Sequence, residues 1–399
     1  MNENLVITVN MGSSSLRCAV FAVEDGSPVP LLRLSISGLP NKMIWRRVDL
    51  RDDQSDEEEL PAADREAAQE NALRMMLKRL ESEVPVDNIC AFSHRIVHGG
   101  QEFAEPVLLD PDVVKRLEAL EPLAPNHQPF NLQPARILQE RYPEIPQVAC
   151  FDTAFHHELP RLATIFAIPR QMTASGIIRY GFHGLSYEHI ACDLAENTPE
   201  LARGRVIAAH LGHGASLCAM RDGHSIATTM GLTALDGLPM GKRCGALDPG
   251  VVLHLILQEK MSAEDVEEVL YQRSGLLGLS GISDEMTDLL ESDEAEASEA
   301  VDYFVYRCQR EIGSLVAALD GLDGLVFTGG IGENSPVVRS RICNGLSWLG
   351  VRIDETANQD GSSDFAASDS NVRLMRIPAD EERSLARGAR SVQSGSGSG

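Results

Sequence analysis

Two arginines stand beside glycines: Arg95 in "SHRIVHGGQEF" (93–103) and Arg243 in "GLPMGKRCGALDPG" (237–250). A guanidinium offers a planar fork of N–H donors that matches a carboxylate or a phosphate two-on-two, so each is either an anion grip or half of a structural ion pair. Asp152 ends an apolar run in "CFDTAFHHELP" (150–160), a position suited to a carboxylate that orients a metal or a phosphate. His183 lies between an aromatic and a glycine in "RYGFHGLSYEHI" (179–190), and His127 sits in the proline-flanked loop "LAPNHQPFN" (123–131). Asp380, Glu381 and Glu382 open a helical pattern in "IPADEERSLAR", where they complement the helix dipole and can also face a cation. Near the N-terminus, "VITVNMGSSSLRCAV" (6–20) places three serine hydroxyls and Arg17 at a glycine turn between two strands. That turn reads as a cradle for phosphate oxygens or as a polar surface turn.

The elements around these residues read as an α/β chain. Strand-like runs such as "VPVDNICAFSH" and "IPQVACFDTAF" alternate with helical patterns such as "PDVVKRLEALE" and "AEDVEEVLYQRSG". Residues 206–220, "VIAAHLGHGASLCAM", repeat the strand–glycine turn–strand pattern of residues 6–20 at an offset of 200, which suggests two related halves. A third glycine cluster, "LVFTGGIGENSP" (325–336), runs from a strand into a helix that Ser335 caps and Pro336 opens. Around Lys242 the text lacks the first glycine and the Ser/Thr of a P-loop, and no G-x-G-x-x-G follows the first strand. Phosphate sites built on hairpins point instead to the actin, Hsp70 and sugar-kinase architecture. The acidic run "DDQSDEEEL" (52–60) reads as a solvated loop or helix start.

The 399 residues carry a net charge of −24, which argues against nucleic acid or an anionic membrane as partner and requires any anionic substrate to be met by local positive charge. No run approaches a membrane span or a secretory signal, and eight scattered cysteines without a C-x-x-C pair read as buried thiols of a reducing cytoplasm. "SGSGSG" (394–399) has flexible-linker composition.

The blocks Asn10–Ser15, "HRIVHGG", "FDTAFH", "RYGFHG", "HLG-x-G", "MG-x-RCG" and "TGGIGENS", in this order from Val6 to Arg387, resemble the acetate and propionate kinase (acetokinase) family. The resemblance implies a duplicated two-lobe fold of the acetate-kinase, sugar-kinase, Hsp70 and actin class, with the site in the cleft between lobes. Residues 1–152, completed by a helix near 382–393, would form one lobe, and 153–381 the nucleotide-binding lobe. It implies reversible transfer of the ATP γ-phosphoryl group to acetate, giving acetyl phosphate and ADP, with Mg²⁺ (or Mn²⁺ in its place) near Asn10 and Glu381. Asp152, His183, Arg243, Arg95 and His127 would be catalytic. Arg95, Val97, Asn126, Phe182 and Ala234 would hold the acid. Nucleotide contacts would come from Arg17, from His210, Leu211, Gly212, His213 and Gly214, from Glu285, Met286 and Thr287, and from Gly330, Ile331, Gly332, Glu333 and Asn334. A cytoplasmic homodimer is implied as well.

Four positions depart from the family pattern. Arg17 stands for a common Lys, His213 for the Asn of "HLGNG", Thr287 for an arginine that would cover the base, and Asn126 for the Leu of a Leu-His pair. The first three bear on nucleotide binding and the last on the acid. Two other readings are a conformational ATPase of the actin or Hsp70 kind, which would need a further appendage, and a paralogue that binds nucleotide without turnover.

Overall fold

The structure, a computed structural model, describes residues 4–12, 15–23, 27–40, 42–61, 68–125 and 127–395. Ser13, Ser14 and Asn126 lie outside the described residues. The chain divides into two compact units, Met1–Phe155 with Asp380–Gly399, and His156–Ala379.

In the first unit the strands are β1 (Leu5–Met11), β2 (Ser15–Ala22), β3 (Val29–Ser37), β4 (Met43–Asp49), β5 (Gln54–Leu60), β6 (Ile89–Ile96), β7 (Val107–Leu108) and β8 (Gln147–Phe151). Among the described residues they form one sheet in the order β5-β4-β3-β2-β1-β6-β8-β7. β1, β6 and β8 run parallel, so Asn10, Arg95 and Asp152 arrive at the same, carboxyl, edge of the sheet. These strands are buried at almost every position because both faces are covered. The helix Ala68–Glu83 contributes Leu73, Met76, Leu77 and Leu80 to one core. The helix Gln128–Arg141 adds Leu132 and Ala135 to another, with Ile96 and Phe151. The last helix, Glu381–Gly395, packs on β1, β6 and β8. It continues through Ser394 and Gly395, which composition alone assigns to a flexible tail.

The acidic run is a strand, not a loop or helix start. β5 pairs antiparallel with β4 from Met43↔Leu60 to Asp49↔Gln54. Its carboxylates are drawn across by cations on its neighbours: Arg47 Nη1 is 3.5 Å from Asp56, and Arg79 Nη2 is 2.6 Å from Glu58. Six of its seven residues are exposed, so a helix there would bury no more than the strand does, and the ladder with β4 decides.

The second unit holds β9 (Arg205–Leu211), β10 (Ala215–Arg221), β11 (His224–Thr228), β12 (Gly324–Thr328) and β13 (Arg373–Arg376), ordered β11-β10-β9-β12-β13. This repeats the order β3-β2-β1-β6-β8, with the same antiparallel hairpin and the same parallel pair beside it. The two hairpins differ by one residue at the turn. Gly12 N–H bonds Ser15 O, whereas Gly212 N–H bonds Gly214 O. Cys18 therefore pairs with Val9 while Cys218 pairs with Ala208, so the constant offset of 200 fails past the turn by one position, which exchanges sheet faces. The eight cysteines are all free, and no helix among the described residues is long and apolar enough to cross a membrane.

Candidate active site

In the first unit, Arg95 Nε donates to both Asp152 oxygens at 3.1 and 3.0 Å, and Nη2 adds a 2.6 Å bond. Arg95 Nη1 donates to Asn10 Oδ1 at 3.2 Å, and Asn10 Nδ2 donates to Glu381 Oε2 at 3.1 Å. Burial raises the Asp152 carboxyl against the pull of Arg95, and Glu381 adds to the rise. Burial disfavours the Arg95 cation, and Asp152 with Glu381 more than offsets it, so this guanidinium stays charged. The ion-pair reading of Arg95 is therefore realised in this state, through a partner that is itself a candidate catalytic group.

Arg17 is exposed and lies opposite Asn10 in the β1–β2 ladder. Burial raises the Glu382 carboxyl, helped by Glu381 and opposed by Arg17. Asp380 caps the last helix by accepting from Arg383 N–H at 3.2 Å and pairs with Arg33 at 3.0 Å, so its role at the helix start is structural. Asn10 and Glu381 supply oxygen donors, and such hard donors suit magnesium, which keeps most of its positions for water and phosphate.

The loop after β6 is pinned by two side chains of the helix Gln128–Arg141. Asn131 Oδ1 accepts from Val97 N–H at 3.0 Å and its Nδ2 donates to Met11 O at 2.7 Å, while Gln128 bonds both the N–H and the carbonyl of His98. Val97 is buried, and half-buried His127 stands at the start of that helix. Asn131 and Gln128 are absent from the residues singled out in the sequence, since a polar residue in a helix gives no hint of which backbone it will hold.

In the second unit, His183 caps the helix Gly184–Asn197 in the left-handed region, φ 59°. Its ring stacks on His210, centroids 4.3 Å apart, and its Nδ1 is 2.9 Å from Ser216 Oγ. His210 Nδ1 in turn meets Ser186 Oγ at 2.8 Å. Gly181, two residues before His183, has φ +75°, and a Cβ there would sit 2.6 Å from the His156 ring. That imidazole is held between Ser225 Oγ at 2.8 Å and the carbonyl of buried Phe182 at 3.0 Å, and burial pulls its pKa down to about 4. It therefore supports the 181–183 loop as a neutral ring.

Arg243 Nη1 donates to Ala234 O at 2.9 Å, which ties together two candidate residues. A Cβ built on Gly214 would lie 3.1 Å from His183 Nε2 and 3.9 Å from Arg243 Nη2, so both donors look onto the β9–β10 turn.

Beside that turn is a cavity of about 430 Å³. Of the sequence candidates it is lined by Gly212, His213, Glu285, Met286, Thr287, Gly330, Ile331 and Asn334. Leu211, Gly214, His210, Gly332 and Glu333 are not among the residues that line it. Leu211 is buried at the end of β9. Glu333 Oε1 accepts from the N–H groups of Gly329 and Ala379, both at 2.9 Å, so its carboxylate closes the glycine turn. The cluster "GGIGEN" is itself a short helix, Gly329–Asn334, rather than an open turn, and Ser335 caps the next one, Pro336–Asn344, as expected. Gly329 permits this at φ +78°, where a Cβ would strike Leu211 O at 2.8 Å.

Sequence reasoning missed six lining residues, Asp284, Leu290, Glu291, Val337 and the helix-capping pair Ser335 and Pro336, and one support, Arg339. Buried Arg339 donates to the carbonyls of Gly332 and Glu333 at 2.9 and 2.8 Å, which would otherwise be unsatisfied at a helix end. His213 is exposed, 3.7 Å from Asp284 and 3.8 Å from Glu285. These three form the one His/acid group among the described residues whose ligand atoms lie within 4.8 Å of one another. Lys242 Nζ reaches the same Asp284 at 3.4 Å.

Residues 5–387 match the sequence profile of the Acetokinase family. A curated acetate kinase of Rhodopseudomonas palustris is 46% identical over 390 residues, covering 96% of this chain and 97% of its own. One of Rhizobium meliloti is 44% identical, with coverage of 96% of both chains. Among solved structures, a propionate kinase from Francisella tularensis superposes with a TM-score of 0.88 at 32% identity, covering 96% and 98% of the two chains. The Porphyromonas gingivalis acetate kinase gives 0.85 at 29% identity, covering 98% and 100%.

Proposed function

The chain belongs to the acetokinase family, a phosphotransferase with a carboxylate acceptor, and we propose that it phosphorylates acetate directly and reversibly with ATP. The observation that carries this reading is the convergence of His183 Nε2 and Arg243 Nη2 on the Gly214 turn, beside a cavity floored by glycine backbone. Two donors at that turn suit the terminal group of a polyphosphate.

Phosphoryl transfer asks the protein to align the reactants and neutralise charge, more than to form bonds of its own. An acetate oxygen attacks the γ-phosphorus in line. The bond to the bridging oxygen breaks, and its electrons leave with ADP. Acetate is already ionised at neutral pH, so no strong base is needed. Arg243 and His183 donate to the equatorial oxygens. Arg95, held by Asp152, presents its positive charge toward an anionic substrate, and Val97 bounds the methyl group. Glu381 and Asn10 would hold Mg²⁺ directly or through water, and that ion would neutralise phosphate charge when bound. Mn²⁺, which takes the same oxygen donors, would serve in its place. The cavity takes the nucleoside, with Met286 and Ile331 as its apolar wall.

A cytoplasmic homodimer belongs to the same proposal. The apolar helix Pro249–Leu257 buries none of its residues, with Leu253 56% and Leu257 54% exposed, as suits a surface that a second copy covers. Light scattering after size exclusion tests it, and a monomer at micromolar concentration would remove it.

Hydroxylamine trapping with ATP, Mg²⁺ and C1–C4 acids tests the reaction. Acetyl hydroxamate should form fastest, and ADP with acetyl phosphate should yield ATP. Nucleotide binding without hydroxamate from any acid would establish the non-catalytic paralogue instead.

A further inference from the structure

Ser216 and Tyr187 carry no role in the sequence reading, yet both are fully buried beside His183. Ser216 Oγ lies 2.9 Å from His183 Nδ1 and in hydrogen-bond contact with Tyr187 Oη. The chain of contacts is thus Tyr187 Oη, Ser216 Oγ, His183 Nδ1, and the other ring nitrogen, Nε2, faces the Gly214 turn. A neutral imidazole carries its proton on one nitrogen, and the partner of the other nitrogen decides which. A serine hydroxyl has one proton to give.

Either hydroxyl of the Tyr187–Ser216 contact can donate, and the phenol, the more acidic of the two, is the better donor. Burial holds the Tyr187 phenol well above its ordinary range, so it keeps that proton throughout the working pH range. Ser216 Oγ then accepts from Tyr187 and has its own proton free to direct at Nδ1. The ring stack on His210 keeps the imidazole plane from turning away from this line.

We propose that Tyr187 and Ser216 are positioning residues that fix His183 as the Nε2–H tautomer, so that a hydrogen-bond donor, and not a lone pair, faces the phosphoryl group. The proton order runs Tyr187 O–H to Ser216 Oγ, Ser216 O–H to His183 Nδ1, and His183 Nε2–H outward to the substrate. With the opposite tautomer a lone pair would meet phosphate oxygens, and repulsion would replace the bond. The catalytic consequence rests on the acetate-kinase reading; the tautomer itself does not.

The test is ¹⁵N NMR of histidine-labelled protein, with the His183 signals assigned by their loss in His183→Asn. In the native chain His183 shows a protonated Nε2 and a bare Nδ1. In Ser216→Ala the Nδ1–H form gains population, and kcat for acetyl phosphate formation falls about five- to tenfold, the worth of one hydrogen bond, with little change in the KM for ATP. Tyr187→Phe gives the same changes in smaller measure and keeps the ring packing should Ser216→Ala fail to fold. Ser216→Thr, which retains the hydroxyl, restores the native signals. A native His183 protonated on Nδ1 overturns the proposal, as do folded Ser216→Ala and Tyr187→Phe proteins with native signals and native kcat. If the native chain makes no acyl phosphate but the tautomer moves in both variants, the relay is supported and the reaction reading is what fails.

Discussion

Asp152 is 2% exposed and Arg95 20%, so the aspartate of this two-on-two pair is sealed while its arginine keeps an open side. Charge is therefore compensated in the interior and remains available at the rim.

Removing one member of such a pair strands a buried charge. Asp152→Ala or Arg95→Ala is expected to destabilise the fold by about 3–5 kcal/mol and to lower kcat at least ~10²-fold. The double variant Arg95→Met/Asp152→Leu should recover most of the stability and none of the activity. Urea melts and the hydroxamate assay on all four proteins read this out. Native kcat in any folded variant lacking Arg95 would make the pair purely structural.

Acid should unfold the protein partly through buried neutral histidines. Burial lowers His156 and His94 to about 4, whereas an unfolded histidine titrates near ~6.5. Between those values the unfolded chain takes up protons that the folded one refuses, so stability is full above pH ~6.5 and is lost as pH falls toward about 4. Each such group contributes about 1.4 kcal/mol per pH unit in that window. His156→Gln, whose amide can still bond Ser225 and the Phe182 carbonyl, should flatten the denaturation midpoint against pH by one group's share. Parallel curves for the two proteins would show that His156 titrates alike folded and unfolded.

Val97 is buried, and its N–H is held by Asn131 whatever its side chain, so Val97→Ala alters room and not path. The ratio of kcat/KM for propionate to that for acetate should rise by up to about tenfold, since a buried methylene is worth ~0.8 kcal/mol and fit adds to it. An unchanged ratio would place the methyl pocket elsewhere.

Thr287 lines the cavity that the proposed function gives to the nucleoside. Thr287→Arg should lower the KM for ATP about two- to fivefold through stacking and cation–π attraction. No change, with binding followed by calorimetry, would mean that the base occupies another wall.

The chain's motifs made the strand ends and glycine turns legible, because an arginine after a strand or a glycine between two strands carries its geometry with it. Arg95, Asp152 and the turn at Gly212 stand at such ends, whereas His183 opens the helix Gly184–Asn197 and Arg243 lies in the long loop between β11 and the helix Pro249–Leu257. What stayed hidden acts across the fold. Ser216 and Tyr187 are ordinary strand and helix residues until β10 and the helix Gly184–Asn197 meet, and Asn131 and Arg339 look like helix-surface polars until the carbonyls and N–H groups they satisfy come alongside. The acidic β5 was misread for a related reason: its strand character belongs to β4 and to Arg47 and Arg79, not to itself.

β5 is the last strand on its side of the sheet, and an outermost strand offers its bare N–H and C=O groups to any extended chain that drifts by. Asp56, Glu57, Glu58 and Glu59 in succession surround those groups with like charge, so a second molecule bringing the same edge meets repulsion before it can zip. The protein thus carries its own colloidal guard at its most adhesive line. A variant with amides at 56, 57, 58 and 59 should turn turbid at concentrations where the native chain stays clear, and equal turbidity of the two would remove this role.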